Sequence, residues 1–417
     1  MLLLAILCSL LVGVGLPVSP FWPGVLFWIA GGVLFARLSL IQRSQTLVMF
    51  GLGGLAAVAG LVRDADPALL WRALYANQSL IAMLGAVAFL RLVTRVDAEV
   101  RPLPRGRPAL WRTLLGVHLF GAVINMSALV IVGDRLARRG RLNRLQAQLL
   151  SRGFSLAAHW SPFFVAMGVA LTQAPGSRLA TLSLVGLVPA GLGLLIAGWG
   201  LSRQRGAERL RGYPVAFGAL WVPLLLAAGV LVLRYPWPDI SVITLVSLLS
   251  LLVTVVLLFW RLGLAAWATL RQQIVVELPR MAGELVLFLS AGVLSVGIAV
   301  LVDGWQLQLD MIRFDAPAAA MLLWLMVGLA VLGVHPLISI ATASGLLGPV
   351  PDPNLLALVF LMAWALGVAA SPLSGMHMAL QGRYGIPAHR FVGWNGRYIL
   401  AMLLLDSAVL FGYQALF

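Results

Sequence analysis

Apolar residues fall in long, nearly unbroken runs along the whole chain. The runs lie near 2–17, 22–37, 46–62, 79–94, 110–133, 153–175, 178–201, 214–234, 238–260, 284–303, 318–349, 354–380 and 396–416. A helix needs about 20 apolar residues to cross a bilayer, and most of these runs are of that order. They predict an all-α, polytopic membrane protein. Composition agrees: 61% of the 417 residues are hydrophobic and 10% are charged, with a mean hydropathy of +0.99. Soluble domains carry about 25% charged residues, so no sizeable soluble domain is expected here. The first run resembles a signal peptide, but it lacks a basic leading region and an A-x-A site. It reads as a retained first transmembrane helix over 1–20.

Charge then orders the runs. All 29 basic residues are arginines and the net charge is +15. Nucleic-acid binding would need a folded basic surface, which such short loops cannot build, so the charge is read as topological. Arginine concentrates in loops 37–45 (Arg37, Arg43), 91–112 (Arg91, Arg95, Arg101, Arg105, Arg107, Arg112) and 134–152 (Arg135, Arg138, Arg139, Arg141, Arg144, Arg152). It also concentrates in 202–213 (Arg203, Arg205, Arg209, Arg211), 261–283 (Arg261, Arg271, Arg280) and 382–397 (Arg383, Arg390, Arg397). The remaining arginines, Arg63, Arg72, Arg178, Arg234 and Arg313, stand in other loops, mostly near acids such as Asp64, Asp66, Asp310 and Asp315. The two richest loops flank the single run 110–133, so one crossing there would strand a basic loop outside. A re-entrant hairpin over 110–133 removes the conflict, and 318–349, between poorly basic loops, requires one from the other side. The threading gives about 11 transmembrane helices plus two re-entrant hairpins in a bacterial-type inner membrane, with the N-terminus cytoplasmic and the C-terminus periplasmic. The basic stretch 134–152 reads either as an amphipathic interfacial helix or as a solvated anchoring loop.

The hairpins are similar to each other. Gly116-Val117-His118 aligns with Gly333-Val334-His335, and Asn125-Met126-Ser127 with Thr342-Ala343-Ser344. Downstream, SPFFVAMGVAL from Ser161 resembles SPLSGMHMAL from Ser371. The blocks keep their order and have opposite expected orientation. Repeat 1 is therefore 21–213, with a hairpin at 110–133 and a broken helix at 153–175. Repeat 2 is 214–417, with a hairpin at 318–349 and a broken helix at 354–380. Inverted repeats with interrupted helices point to the binding site of a transporter.

In topology and repeat order, over residues 20–417, the chain resembles the ion transporter superfamily: divalent-anion/sodium symporters, the large membrane subunit of TRAP transporters, and arsenite and citrate permeases. That resemblance implies an elevator-type architecture. Residues 110–175 and 318–380 would form the transport unit, and 46–94, 178–234 and 238–303 would be enriched in scaffold. The Ser-Asn-Thr tips of the dicarboxylate symporters are replaced here by Asn125-Met126-Ser127 and Thr342-Ala343-Ser344, so neither a dicarboxylate nor sodium is implied in particular.

Several residues are candidates for chemistry. Asn125, Ser127, Thr342 and Ser344 at the expected hairpin tips suit the binding of an anionic group or of a cation's oxygen shell; hydroxyl bonding back onto the helix is the alternative. Ser161-Pro162 and Ser371-Pro372 should break their helices and line a site, or merely kink them, and Ser374 adds to the second break. Four of the five histidines lie in the repeated blocks. His377, beside Ser374, is a ligand candidate, while His118, His335 and His159 suit proton coupling or structural fastening. Asp406 sits mid-span and must be protonated, paired with Arg397 or a hydroxyl, or facing a cavity, so it is a proton-coupling or structural candidate.

No metal site is indicated, because neither carboxylates nor further cysteines accompany the histidines, and Cys8 stands alone. No GxSxG, Walker loop, HExxH or dinucleotide fingerprint is present, so no enzyme is expected and ATP-driven pumping would need a partner chain. The expected function is secondary transport of a small anionic or polar organic solute, with no cofactor beyond H+ or Na+ as coupling ion. The alternatives are a TRAP-like membrane subunit working with accessory transport subunits, or a polytopic lipid-handling protein. The lipid bilayer and the solute are the expected partners, with a homodimer compatible with the sequence.

Overall fold

The computed structural model describes residues 1–93, 105–137, 141–213, 221–306 and 314–417. Arg95, Arg101, Arg138, Arg139, Asp310 and Arg313 of the loop reading lie outside the described residues, as does 214–220 of the run 214–234. Every regular element among the described residues is helical. The α-helices are α1 (Leu2–Gly13), α2 (Phe21–Leu34), α3 (Leu40–Leu61), α4 (Arg72–Tyr75), α5 (Gln78–Val87), α6 (Arg107–Ile124), α7 (Met126–Leu136), α8 (Arg144–Ser155), α9 (Val165–Gln173) and α10 (Leu179–Ser202). They continue with α11 (Trp221–Arg234), α12 (Val242–Leu262), α13 (Ala266–Gln272), α14 (Ala282–Gly304), α15 (Ala316–Val331), α16 (Pro336–Leu347), α17 (Pro353–Ala370), α18 (Gly375–Tyr384) and α19 (Arg390–Leu416). Six helical stretches among the described residues are long and apolar enough to cross a membrane. α3 and α10 leave Leu47, Leu52, Leu55, Leu184, Leu187 and Leu195 exposed, an apolar surface that lipid can cover and water would penalise. The chain is a multi-pass α-helical membrane protein.

The chain divides into two compact units. Unit 1 comprises Met1–Arg95, Val222–Met311 and Ala341–Gly348. Its main contact is the pairing of α3 with α14. Gly53 faces Leu294, Met49 takes a contact from Ser290, Gln42 lies against Gly283, and Gly60 lies against Val300, so the two helices run parallel. Gly283, Ser290, Gly297 and Gly304 recur every seven residues and bring α14 backbone-to-backbone with α3 at Gly53 and Gly60. Lipid offers no hydrophobic drive for helix association, so such close approach of small residues is what holds the pair. The stretch 261–283, expected as a basic loop, is helical through most of its length, running through α13 into α14. It offers no turn-forming pair between Gly263 and Pro279, and apolar residues such as Trp267 and Val275 separate its arginines.

Unit 2 comprises Val96–Trp221, Ile312–Ile340 and Pro349–Phe417. Its centre is α17, apolar beyond Asn354, whose residues from Leu355 to Ala370 are all buried. Helices α15, α19, α9, α10 and α8 pack around it. Asp352 caps its start through the Asn354 and Leu355 N–H groups, and Ser371-Pro372 ends it.

Two expectations need revision. The basic stretch 134–152 is neither an interfacial helix nor a solvated loop in its second half: α8 is buried from Leu145 to Ser155. The break in 318–349 also falls at Leu332–His335 and not at Thr342–Ser344, which lie inside α16. Gly333 takes a left-handed φ of 99° and Pro336 opens the next helix, so the local chemistry of Gly-Val-His-Pro sets the break. The aligned Gly116-Val117-His118 is followed by Leu119 and stays within α6, which breaks instead at Asn125.

Candidate functional site

Unit 2 gathers two helix breaks and a buried polar network. The first break follows α8, where proline cannot donate to a helical carbonyl and the chain turns. Ser161 Oγ accepts the Phe163 N–H at 3.2 Å and donates to the Ala122 carbonyl, while the Phe164 N–H reaches the Ser161 carbonyl at 3.2 Å. The second break repeats this pattern. Ser371 Oγ accepts the Leu373 N–H at 3.2 Å, and the Ser374 N–H reaches the Ser371 carbonyl at 3.4 Å. Ser374 then caps α18 by accepting the His377 N–H at 3.2 Å. Both Ser-Pro pairs thus form the same serine-closed turn inside the protein, and Ser161 and Ser371 are buried.

Asn125 belongs with the first break. It takes a left-handed φ of 49°, which asparagine tolerates, and its Nδ2 donates to the Phe163 carbonyl at 3.0 Å. Its Oδ1 is buried without a hydrogen-bond partner among the described residues, leaving an acceptor beside the Ser161 turn. Ser127 is half-buried on α7. Thr342 and Ser344, both half-buried, stand on the part of α16 grouped with unit 1.

The second break is tied to α8 by a directional chain. His377 Nδ1 lies 2.8 Å from the Ser371 carbonyl, which can only accept, so Nδ1 carries the hydrogen and Nε2 accepts from Ser151 Oγ at 3.0 Å. Ser151 in turn accepts from Asn395 Nδ2 at 3.2 Å, and Asn395 Nδ2 also donates to the Ala369 carbonyl at 2.9 Å. Asn395 Oδ1 accepts from Arg152 Nε at 3.0 Å, and the Trp394 carbonyl accepts from Arg152 Nη2 at 3.0 Å and Gln148 Nε2 at 2.8 Å. The Arg152 guanidinium lies 4.7 Å over the Tyr398 ring, and the His377 ring stacks on Phe391 at 3.9 Å. Gln148, Ser151, Arg152 and Ser155 occupy one face of α8 by their three- and four-residue spacing, and all are buried. Among the described residues Arg152 has no carboxylate within ion-pair distance, so its charge is met by neutral dipoles and a ring face.

The remaining candidates separate. His118 has both nitrogens engaged, Nδ1 donating to the Gly153 carbonyl at 3.3 Å and Nε2 accepting from Trp160 Nε1 at 3.0 Å, which fastens α6 to α8. Its aligned counterpart His335 does something else: its Nδ1 accepts the Leu337 N–H at 3.2 Å and caps α16. Asp406 is paired with neither Arg397, which is exposed, nor a hydroxyl; its Oδ2 lies 3.3 Å from His159 Nε2. At the surface a cleft of about 740 Å³ is lined by Asp134, Arg383 and Tyr384. Arg383 donates to both Asp134 oxygens at 2.6 Å and Tyr384 Oη donates at 2.9 Å.

Sequence reasoning did not single out Ser151, Arg152, Asn395 or Gln148 as site residues. The available signal was a polar face on a helix directly adjoining the Ser-Pro break, and an asparagine in the second turn of the long last helix.

No family model and no curated relative matches the chain. Among solved structures it is similar to the YdaH transporter of Alcanivorax borkumensis, described as having an unusual topology. The match has 19% identity and a TM-score of 0.37, and it covers 92% of this chain and 86% of that one.

Proposed function

We propose that this chain is a secondary active transporter of the inner membrane that moves a small anionic or polar organic solute, driven by H+ or Na+. The observation that carries this reading is the matched pair of Ser-Pro breaks, closed by the same serine turn and adjoining a buried polar network whose arginine, among the described residues, is met by neutral groups. In a medium without water, interrupted helices are retained where their freed backbone groups meet protein or a solute. An anionic group is the chemistry that a guanidinium in such a place favours.

The reading includes two inverted repeats with re-entrant hairpins and an elevator-type movement, as in the ion transporter superfamily. It is supported by the grouping of 110–175 with most of 318–380 in one unit, and of 46–93 with 238–303 in the other. Helix α10, expected with the scaffold, is grouped with unit 2. The test is counterflow in proteoliposomes of the pure protein against a panel of carboxylates and polar solutes, with sodium and pH gradients imposed separately. Uptake driven by one gradient is expected, and folded protein that exchanges no solute would overturn the proposal. Orientation is read separately by labelling Asn125→Cys and Val334→Cys, one at each observed hairpin break, in a Cys8→Ser background. Protection from opposite sides is expected, and access from one side only would remove the inverted hairpins.

A further inference from the structure

His159 and Asp406 are 247 residues apart in sequence and almost wholly buried, with side-chain exposures of 1% and 0%. His159 Nε2 lies 3.3 Å from Asp406 Oδ2, and Asp406 Oδ1 has no hydrogen-bond partner among the described residues. The other ring nitrogen, Nδ1, lies 3.2 Å from the Leu156 carbonyl. A carbonyl only accepts, so Nδ1 carries a hydrogen. The contact between Nε2 and Oδ2 therefore holds a single further proton. Imidazolium beside carboxylate and imidazole beside carboxylic acid are the same composition, and both are neutral overall. Removal of that proton sets two lone pairs against each other and leaves one negative charge in an apolar interior, a state that burial disfavours strongly.

The surroundings add little that would compensate. Helices α6, α8, α9, α10, α15 and α17 pack against the His159 segment or against α19, the helix that carries Asp406, and α15 reaches the neighbouring Ser407 through Trp324 Nε1 at 3.1 Å. Of these, α6 presents His118, α8 presents Arg152 beyond the Tyr398 ring, and α19 presents Tyr398, whose hydroxyl is itself buried and unpartnered. Helices α9, α10, α15 and α17 contain no acid, arginine or histidine. Against the backbone of the His159 segment, α10 approaches the His159 carbonyl so closely at Gly186 that a Cβ there would collide with it. Three residues on, Pro189 removes one helical hydrogen bond from α10.

We infer that His159 and Asp406 form the proton-carrying site of this transporter. The inference rests on the transport reading above and names the proton as the coupling ion. Imidazole and carboxylate take up one proton from water when the segment is open, travel as a neutral pair when it is closed, and return the same proton on the other side. No electrons move and no other group is consumed.

Two measurements test this separately from transport itself. Infrared difference spectra of the purified protein between acid and alkaline buffer are expected to contain a buried-carboxyl signal that Asp406→Asn removes and His159→Gln shifts. Spectra unchanged by Asp406→Asn overturn the proton site, whatever the transport result. In proteoliposomes, wild type is expected to move protons with solute, while Asp406→Asn keeps solute counterflow and loses the accompanying proton flux. Retained proton flux in that variant overturns the inference, whereas absence of solute exchange in folded wild type overturns the transport reading and leaves the infrared result to decide the site. If Asp406→Asn does not fold, His159→Gln, which still donates towards either acceptor, serves in both measurements with the same expected loss of proton flux.

Discussion

Two neighbouring glycines on α3 should respond oppositely to the same substitution. A Cβ on Gly53 would sit 2.7 Å from the Val293 carbonyl oxygen and 2.8 Å from Leu294 Cα, whereas a Cβ on Gly54 meets nothing within 4 Å. Carbon atoms rest at about 3.5–4.0 Å, so Gly53→Ala requires α14 to withdraw by roughly 1 Å. The obstructing atoms are backbone, and the same helices touch backbone-to-backbone again at Gly60, Gly297 and Gly304, so no rotamer change relieves the contact. Overpacking of this kind costs about 1–3 kcal/mol. Both substitutions gain the same helix propensity, up to about 1 kcal/mol, so their difference isolates the steric cost. The assay is unfolding of detergent-purified protein followed by tryptophan fluorescence. Trp305 helps as a reporter, because its Nε1 donates to the Ala59 carbonyl across this seam at 3.0 Å. Gly54→Ala is expected to match or exceed wild type and Gly53→Ala to fall below Gly54→Ala by the steric amount. Equal stability of the two variants would refute the parallel glycine seam.

Other consequences follow from unit 2. Asp134, just beyond the apolar segment 110–133, has its carboxyl held below the ordinary value of 3.8, chiefly by hydrogen bonds from Arg383. A lowered folded value means that this stabilisation is present above the unfolded value and fades as pH falls through the folded one. Asp134→Asn should therefore melt below wild type at neutral pH and converge with it in acid. The gap should be at most about 1 kcal/mol, because both partners are about half exposed. Asn395→Ala strands Arg152 Nε and the Ala369 carbonyl, and should destabilise by about 1–3 kcal/mol for each buried group left unpaired. A melting curve unchanged by it would exclude the network. Ser161→Ala and Ser371→Ala remove the side-chain acceptor from each turn and should each cost about 0.5–2 kcal/mol, by analogy with lost helix caps, and slow counterflow. Ser127→Ala, measured alongside, is expected to be neutral in the melt.

The sequence by itself determined the solvent and the local backbone events. Runs of apolar residues demanded lipid, and Ser161-Pro162 and Ser371-Pro372 broke their helices because proline lacks a donor wherever it stands. Gly333 and Pro336 carried the same kind of local information, and their backbone constraints set the break in place of the polar Thr342-Ala343-Ser344. The seven-residue recurrence of Gly283, Ser290, Gly297 and Gly304 was also visible along the chain, though not its partner. What only the tertiary structure decided was which helices meet. Arg152 finds Asn395 across 243 residues, His159 finds Asp406 across 247, and α14 lies parallel to α3. The arginine-rich stretch 134–152 read as a surface element because the partners of α8 lay that far away; once α19 supplied acceptors, burial of a polar face became tolerable. The reason is physical: in lipid, hydrophobicity drives helices into the membrane but not against one another, so lateral neighbours are chosen by shape and by buried hydrogen bonds. Both are properties of two surfaces together, and neither is written in one segment alone.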